Sequence, residues 1–288
     1  MRHIFLVNSF SLKDRTSLMI SRIKEYADKN ELDYLIEVND INNSTEDILK
    51  KYKKSEYIIY AVGGDGIMNR VLNSIYGTKN ILSFIPCGTG NDFSRTARET
   101  LKNGYNEVDI VKLNDMYSIN VACFGIDADI GNTDLVVHNK FIPKSQRYNA
   151  SVVKNFAKYK PRYFKIEVDG NKMEDYFTTI CICNAKYYGS GFIINPDGLI
   201  NDGKFDVIIV DKVNKLNLIK VILKIKSGKH IDLDVVKHIR TDKITFKSDK
   251  PIKANVDGEI LEDKVFKIKM CKEKMKVYYN SDMIDELK

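Results

Sequence analysis

Short apolar runs alternate with amphipathic stretches through residues 1–118, the rhythm of βα units that feed a parallel sheet. Strands are predicted over residues 4–7, 34–38, 57–62 and 82–85. Helices are predicted over 15–29 and 44–53, the second opened by Ser44 or Thr45, whose side-chain oxygen can accept from an N–H of the first turn. From residue 119 the rhythm changes to alternating strands joined by Asp-Gly turns, with helical spacing only over 146–158 and 215–226. Asp169-Gly170, between the runs 164–167 and 176–183, is a hairpin signal because both residues tolerate the positive φ of a tight two-residue turn. Residues 243–247, 252–256, 265–270 and 275–279 supply further strands, so the second half is β-rich.

At 288 residues, with 43% hydrophobic and 30% charged residues, the chain is long enough to bury one large or two ordinary cores and reads as globular. The net charge of +7 suits a polyanionic nucleotide, an anionic membrane surface or a nucleic acid, and does not choose among them. No nucleic-acid reader motif accompanies the charge, so no nucleic-acid partner is expected. Five scattered cysteines, an odd number, argue against a disulfide framework and for a reducing compartment. Cys181 and Cys183 alternate onto one strand face and lack a second pair at zinc spacing, which makes them core residues. His3, His138, His230 and His238 are isolated and have no Ser or Cys placed to form a triad. The apolar run at 4–7 is too short for a signal peptide or a membrane span, and a cytoplasmic protein is expected.

The sharpest local chemistry lies where the run 57–62 enters Gly63-Gly64-Asp65-Gly66 and then helical spacing from Met68 onward. Consecutive backbone N–H groups at a helix N-terminus, with no Cβ in the way, can receive a phosphate. A ligand-free glycine-rich turn has the same pattern. Asp65 sharpens the choice, because a carboxylate among phosphate-facing amides repels phosphate unless a hydrated Mg²⁺ mediates. The next strand ends in Pro86-Cys87-Gly88-Thr89-Gly90-Asn91-Asp92-Phe93, again ahead of helical spacing. Neighbouring parallel strands would bring both turns to the carboxyl edge of the sheet, where Thr89 can offer a hydroxyl to a phosphate or ribose. Neither the Gly-Lys-Ser/Thr ending of a Walker loop nor a G-x-G-x-x-G spacing is present.

Gly63-Gly64-Asp65-Gly66 followed by Asn69, then Pro86-x-Gly88-Thr89-x-Asn91-Asp92-Phe93, resembles the diacylglycerol kinase catalytic-domain family, which includes bacterial lipid kinases and sphingosine kinases. The likeness continues through Cys123-Phe124-Gly125-Ile126-Asp127-Ala128, the stretch 196–206, and Val256-Asp257-Gly258-Glu259, five motifs in family order. Two positions depart from the family: Ile67 stands where Thr is usual, and Arg70 where Glu is usual. The opening Asn-Pro-x-Ser-Gly turn is here Asn8-Ser9-Phe10-Ser11.

The resemblance implies an α/β N-terminal domain with a parallel sheet of the NAD-kinase and diacylglycerol-kinase type over 1–118, and an all-β sandwich over 119–270. A segment 271–288 would return to the first domain. It implies an ATP- and Mg²⁺-dependent lipid kinase, with diacylglycerol the default acceptor and phosphatidic acid the product. The nucleotide site would comprise Gly63, Gly64, Asp65, Gly66, Ile67, Met68, Asn69, Arg70, Gly88, Thr89, Asn91 and Asp92. Asp202, with the carbonyls of Leu199 and Lys204, would hold Mg²⁺, linked through water to Asp65 and Asp127. Asp257 is the expected general base, with Glu259 as the alternative, although Asp257-Gly258 has the local pattern of an ordinary hairpin turn like Asp169-Gly170. A membrane lipid substrate calls for peripheral contact with an anionic surface, and the stretch 215–226 is either an interfacial face or core packing. A homodimer is compatible with this reading. The rival readings are an NAD kinase, whose family shares Gly-Gly-Asp-Gly before an Asn, and a non-catalytic nucleotide or lipid sensor, favoured by Arg70.

Overall fold

The computed structural model of the chain describes residues 1–88, 90–126, 128 and 160–288. The helix expected over 146–158 lies outside the described residues, as do Thr89 and Asp127.

β1 (His3–Asn8) pairs in parallel with β2 (Tyr34–Asn39) on one side and β3 (Ile58–Gly63) on the other, and β3 pairs in parallel with β4 (Ile81–Pro86). Their continuous apolar sequences follow from burial on both faces. Ile4, Leu6, Ile59, Ala61, Leu82 and Phe84 pack against α3 (Thr45–Lys50), α4 (Asp65–Ile75) and α5 (Asp92–Thr100). The alternate residues Phe5, Val7, Tyr60, Val62 and Ile85 face α2 (Thr16–Lys29) and α7 (Ser281–Leu287). α1 (Ser9–Leu12) is a single turn at the end of β1. Ser44 caps α3 by accepting the N–H of Asp47 at 3.2 Å, as its sequence position predicts, but the helix closes at Lys50 rather than at residue 53. β17 (Met275–Tyr279) enters this sheet between β4, to which it runs parallel, and β5 (Gly104–Val108), to which it runs antiparallel. The sheet order is therefore β2-β1-β3-β4-β17-β5.

The second sheet is the C-terminal β-sandwich. It contains β6 (Val111–Leu113), β7 (Met116–Ser118), β8 (Val121–Gly125), β9 (Arg162–Val168), β10 (Asn171–Cys183), β13 (Phe205–Asp211), β14 (Val236–Thr241), β15 (Lys243–Val256) and β16 (Glu259–Met270). β11 (Tyr187–Tyr188) and β12 (Phe192–Ile193) pair separately. Phe124 meets Phe246 and Phe266 edge-on inside the sandwich, with Ile180, Ile182, Val207 and Ile209 around them. The intervening residues Cys123, Cys181, Cys183, Ile208 and Val210 point to the opposite face and pack on α6 (Lys215–Ile225). Cys181 and Cys183 are core residues, as the alternation predicts. The two strands predicted at 243–247 and 252–256 are one strand, β15, whose register shifts between Lys247 and Ile252. The bulge lets Pro251 sit in a long strand without breaking the ladder on either side.

Candidate active site

β3 and β4 end side by side, and their glycine turns lock together. The carbonyl of Gly63 accepts from the N–H of Cys87 at 2.8 Å and of Gly88 at 3.2 Å. A Cβ on Gly88 would lie 2.5 Å from the Cα of Gly64, a distance no side chain tolerates. Asn91, in the left-handed conformation at φ 54°, holds the second turn by donating to the Gly88 carbonyl at 2.7 Å and accepting from its N–H at 3.1 Å. Asp65 opens α4, and its carboxylate accepts from the N–H groups of Asp92 at 3.1 Å and Phe93 at 3.4 Å, the first turn of α5. The first turns of both helices are thereby drawn to one place, with their positive dipole ends together. Asp65 thus has amide partners of its own in addition to any cation.

Beside these turns opens a cavity of ≈ 440 Å³. Asp65, Asp92 and Asp257 stand in its wall at the glycine turns; elsewhere it is lined by Cys123, Ile126, Phe192 and the inner face of α6. Burial pushes the Asp65 carboxyl up to about 6, and burial also raises those of Asp92 and Asp257. Asp92 is tied to the sandwich by the N–H of Ser190 at 2.8 Å.

Asp257, the expected base, is held from several sides. It does occupy a hairpin turn, with φ 49° and Gly258 at φ 96°, joining β15 to β16. Asp169-Gly170 makes the same turn with its aspartate exposed, whereas Asp257 is only 4% exposed. One Asp257 oxygen accepts from Ser118 Oγ at 2.8 Å and the N–H groups of Val121 at 2.9 Å and Asn120 at 3.2 Å. The other accepts from the N–H of Ile119 at 2.8 Å and from Asn69 Nδ2 at 3.1 Å. Five donors engage its two oxygens, so Asp257 ties α4 to the β7–β8 connection. Asn69 is the other half of that tie: it is 2% exposed and also donates to the Tyr117 carbonyl at 2.8 Å. Ile67 and Met68 are equally buried, and the Met68 N–H already donates to the Gly64 carbonyl at 3.3 Å, which leaves the N–H groups of residues 65–67 at the start of the helix. Glu259 lies over the Gly63–Gly66 turn, its Oε1 3.5 Å from where a Cβ of Gly66 would be. Arg70 Nε stands 3.4 Å from that same oxygen and 3.4 Å from the Gly66 carbonyl.

Of the expected Mg²⁺ site, the loop carrying Asp202 is described and Asp127 is not. Asp202 pairs with Arg240 and accepts the N–H of Lys204 at 3.1 Å. Lys274 Nζ donates to the Asn201 carbonyl at 2.5 Å and lies 3.2 Å from Asp109, which is 1% exposed and accepts the Gly203 N–H at 2.6 Å. Asp202 and Asp109 each already face a cation, and a divalent ion beside Asp202 would stand against a guanidinium. Asp202, the one side chain of that donor set, is thus taken by Arg240. Asp202 is also absent from the cavity wall that Asp65 and Asp257 share. Among the described residues, no three His, Cys, Asp or Glu side chains gather as a metal site requires.

Sequence reasoning missed two features. Asn8 and Asn39 are register partners at the carboxyl ends of β1 and β2, and Asn8 Oδ1 and Asn39 Nδ2 are buried without a hydrogen-bond partner. The Asn8 Cβ is 3.3 Å from where a Cβ of Gly63 would be, so this pair adjoins the phosphate loop. The available signal was an asparagine closing two successive strands, a residue type strands disfavour. The cavity wall is the other feature, because no short motif spans Cys123, Phe192 and α6.

The diacylglycerol kinase catalytic domain family matches residues 2–123, and the YegS C-terminal NAD kinase beta sandwich-like domain family matches residues 120–278. A diacylglycerol kinase of Bacillus subtilis is 27% identical over 70% of this chain and 71% of its own length. The crystal structure of a diacylglycerol kinase from Bacillus anthracis superposes with a TM-score of 0.69 at 17% identity, covering 98% of each chain. An NAD kinase from Archaeoglobus fulgidus in complex with ATP superposes with a TM-score of 0.52 at 15% identity, over 100% of this chain and 97% of that one.

Proposed function

The chain belongs to the diacylglycerol kinase catalytic-domain family, lipid kinases that carry the YegS-type sandwich, and from that premise we propose that it transfers the γ-phosphate of ATP to a lipid hydroxyl. Diacylglycerol is the default acceptor and phosphatidic acid the product. The observation that carries this reading is the shape of one cavity: carboxylates where it meets the glycine turns, and an apolar wall beyond them. An NAD-like acceptor, charged along its length, suits that wall poorly.

ATP arrives as its magnesium complex. Its phosphates rest on the N–H groups that open α4 and on the Gly88 turn, where helix dipoles and unencumbered amides favour anions. Arg70, a cation beside Gly66, adds positive charge along the phosphates, and its pairing with Glu259 keeps it at the loop. The lipid lies with its chains against Cys123, Ile126, Phe192, Leu218, Val221 and Ile222 and its hydroxyl toward Asp65.

Asp65 is the proposed general base. It stands between the phosphate loop and the cavity, and a carboxyl pushed up to about 6 remains ionised at neutral pH while being more basic than an exposed one. The acceptor oxygen forms its bond to the γ-phosphorus as ADP leaves, and the hydroxyl proton passes to Asp65. Most of the acceleration comes from alignment and charge, as loose phosphoryl transfer demands. Glu259 is a second reading for the base, favoured by its place over Gly66 with Arg70 as its basic neighbour.

The test is ADP release from MgATP with mixed micelles of diacylglycerol, ceramide, sphingosine, monoacylglycerol or polyprenol, and with NAD as the soluble control. Phosphorylation of a lipid is expected. Turnover on NAD and on no lipid would contradict the proposal.

A further inference from the structure

α6 is apolar on two opposite faces. Leu218, Val221, Ile222 and Ile225 turn inward and line the cavity. Leu216, Ile219 and Leu223, spaced i, i+3 and i+7 on the other face, are 72%, 42% and 70% exposed. Between residues 212 and 229 the sequence holds six lysines and no Asp or Glu. Lys212, Lys215, Lys220, Lys224, Lys226 and Lys229 are all exposed. At 100° per residue, Lys220 and Lys224 fall on one side of the exposed apolar stripe, and Lys215 and Lys226 on the other. An apolar ridge between two rows of ammonium groups matches a bilayer interface, in which the ridge enters the acyl boundary and the lysines meet anionic headgroups.

We propose that the outer face of α6 docks the protein on an anionic bilayer, so that the wall of the acceptor cavity rests directly on the membrane. This rests on reading that cavity as the lipid site. A lipid then passes from bilayer to cavity around one helix, without crossing water. A helix that served only to cover the sandwich would have polar residues at 216, 219 and 223.

Co-sedimentation with vesicles of phosphatidylglycerol and phosphatidylcholine, against phosphatidylcholine alone, tests the proposal. The wild type is expected to bind the anionic vesicles and to lose binding as salt is raised. The triple variant Leu216→Ser, Ile219→Ser, Leu223→Ser is expected to partition about a hundredfold less. It should keep its Tm and its turnover of a short-chain, water-soluble diacylglycerol while losing turnover of vesicle-embedded diacylglycerol. Lys220→Gln with Lys224→Gln is expected to weaken binding to anionic vesicles only. The proposal is overturned if the wild type ignores anionic vesicles, if the triple variant binds them as well as the wild type, or if the ridge instead joins two copies of the chain, seen as a wild-type dimer that the triple variant dissociates. Vesicle binding is measured apart from turnover, so a wild type that binds vesicles and phosphorylates neither acceptor counts against the kinase reading and leaves the docking surface standing.

Discussion

Asp65 and Asp257 each precede a glycine in a short motif, and their surroundings give them different work. Asp65 accepts from two amides at 3.1 and 3.4 Å and borders the cavity, whereas Asp257 is closed in by five donors. The raised carboxyl of Asp65 sets the sign of its effect on stability. Above about pH 6 the folded protein carries a charge that burial disfavours; that penalty is relieved as the pH falls through 6 toward 4, where the unfolded chain still ionises. Asp65→Asn removes that charge but gives up one accepted N–H, so its stability relative to the wild type should rise by about 1–3 kcal/mol between pH 4 and pH 8, while kcat falls by about 10²- to 10⁴-fold. Urea melts at the two pH values and a single-turnover assay check both halves, and the wild-type rate should decline below about pH 6. Asp257→Asn should behave in the opposite way. It places an amide among N–H donors and should cost about 2–4 kcal/mol, with activity tracking the folded fraction. Asp169→Asn, in the same kind of turn but exposed, should leave the melt unchanged. Nothing local in the sequence distinguishes these two turns; only the distant residues 118–121 and Asn69 do, and contacts across 136 to 188 positions leave no short pattern.

At the scale of elements, the parallel strands were legible because burial on both faces leaves unbroken apolar runs, and the glycine turns because backbone crowding admits no side chain. β5, β6 and β7 were not legible: they are five, three and three residues long, too short to show a period. The sequence suggests two strands where β15 runs, because a proline ordinarily ends a strand and a bulge is invisible in composition. Gly88→Ala tests the interlock of the turns. Its methyl would meet the Gly64 backbone, so ATP affinity should fall at least about tenfold in calorimetry and the melt should drop by about 1–3 kcal/mol. The loop at 199–204 illustrates the limit of motif reading: its aspartate is present, but Arg240 and Lys274, which reach it from β14 and from just before β17, lie far along the chain. EDTA should accordingly leave the melting temperature of the nucleotide-free protein unchanged. A fall in that temperature, restored by Mg²⁺ and absent in Asp202→Asn, would show that the loop holds a cation after all.

At the scale of the whole molecule, the two sheets are joined at several points. Asn69 reaches Asp257 from α4, Asp109 holds the 199–204 loop between β5 and β6, and β17 returns from the sandwich to the first sheet. Glycine turns from one sheet and a hairpin turn from the other therefore meet around one cavity, with the charged chemistry at its junction and the apolar wall on the sandwich side. Family resemblance predicted the two-layer plan and the kinase class, while the wall required coordinates, since strand β8, the β12 region and α6 contribute to it from separate parts of the sequence. The account stands on that cavity being the acceptor site. Ile222 is half-buried on the inner face of α6, so Ile222→Trp can fill the cavity with little strain on the core. The decisive measurement is the rate of diacylglycerol phosphorylation by Ile222→Trp in mixed micelles, with ATP affinity and melting temperature measured on the same preparation. A rate reduced by at least about tenfold with ATP affinity and melt retained is the expected result. An unchanged rate would place the lipid elsewhere and contradict the account.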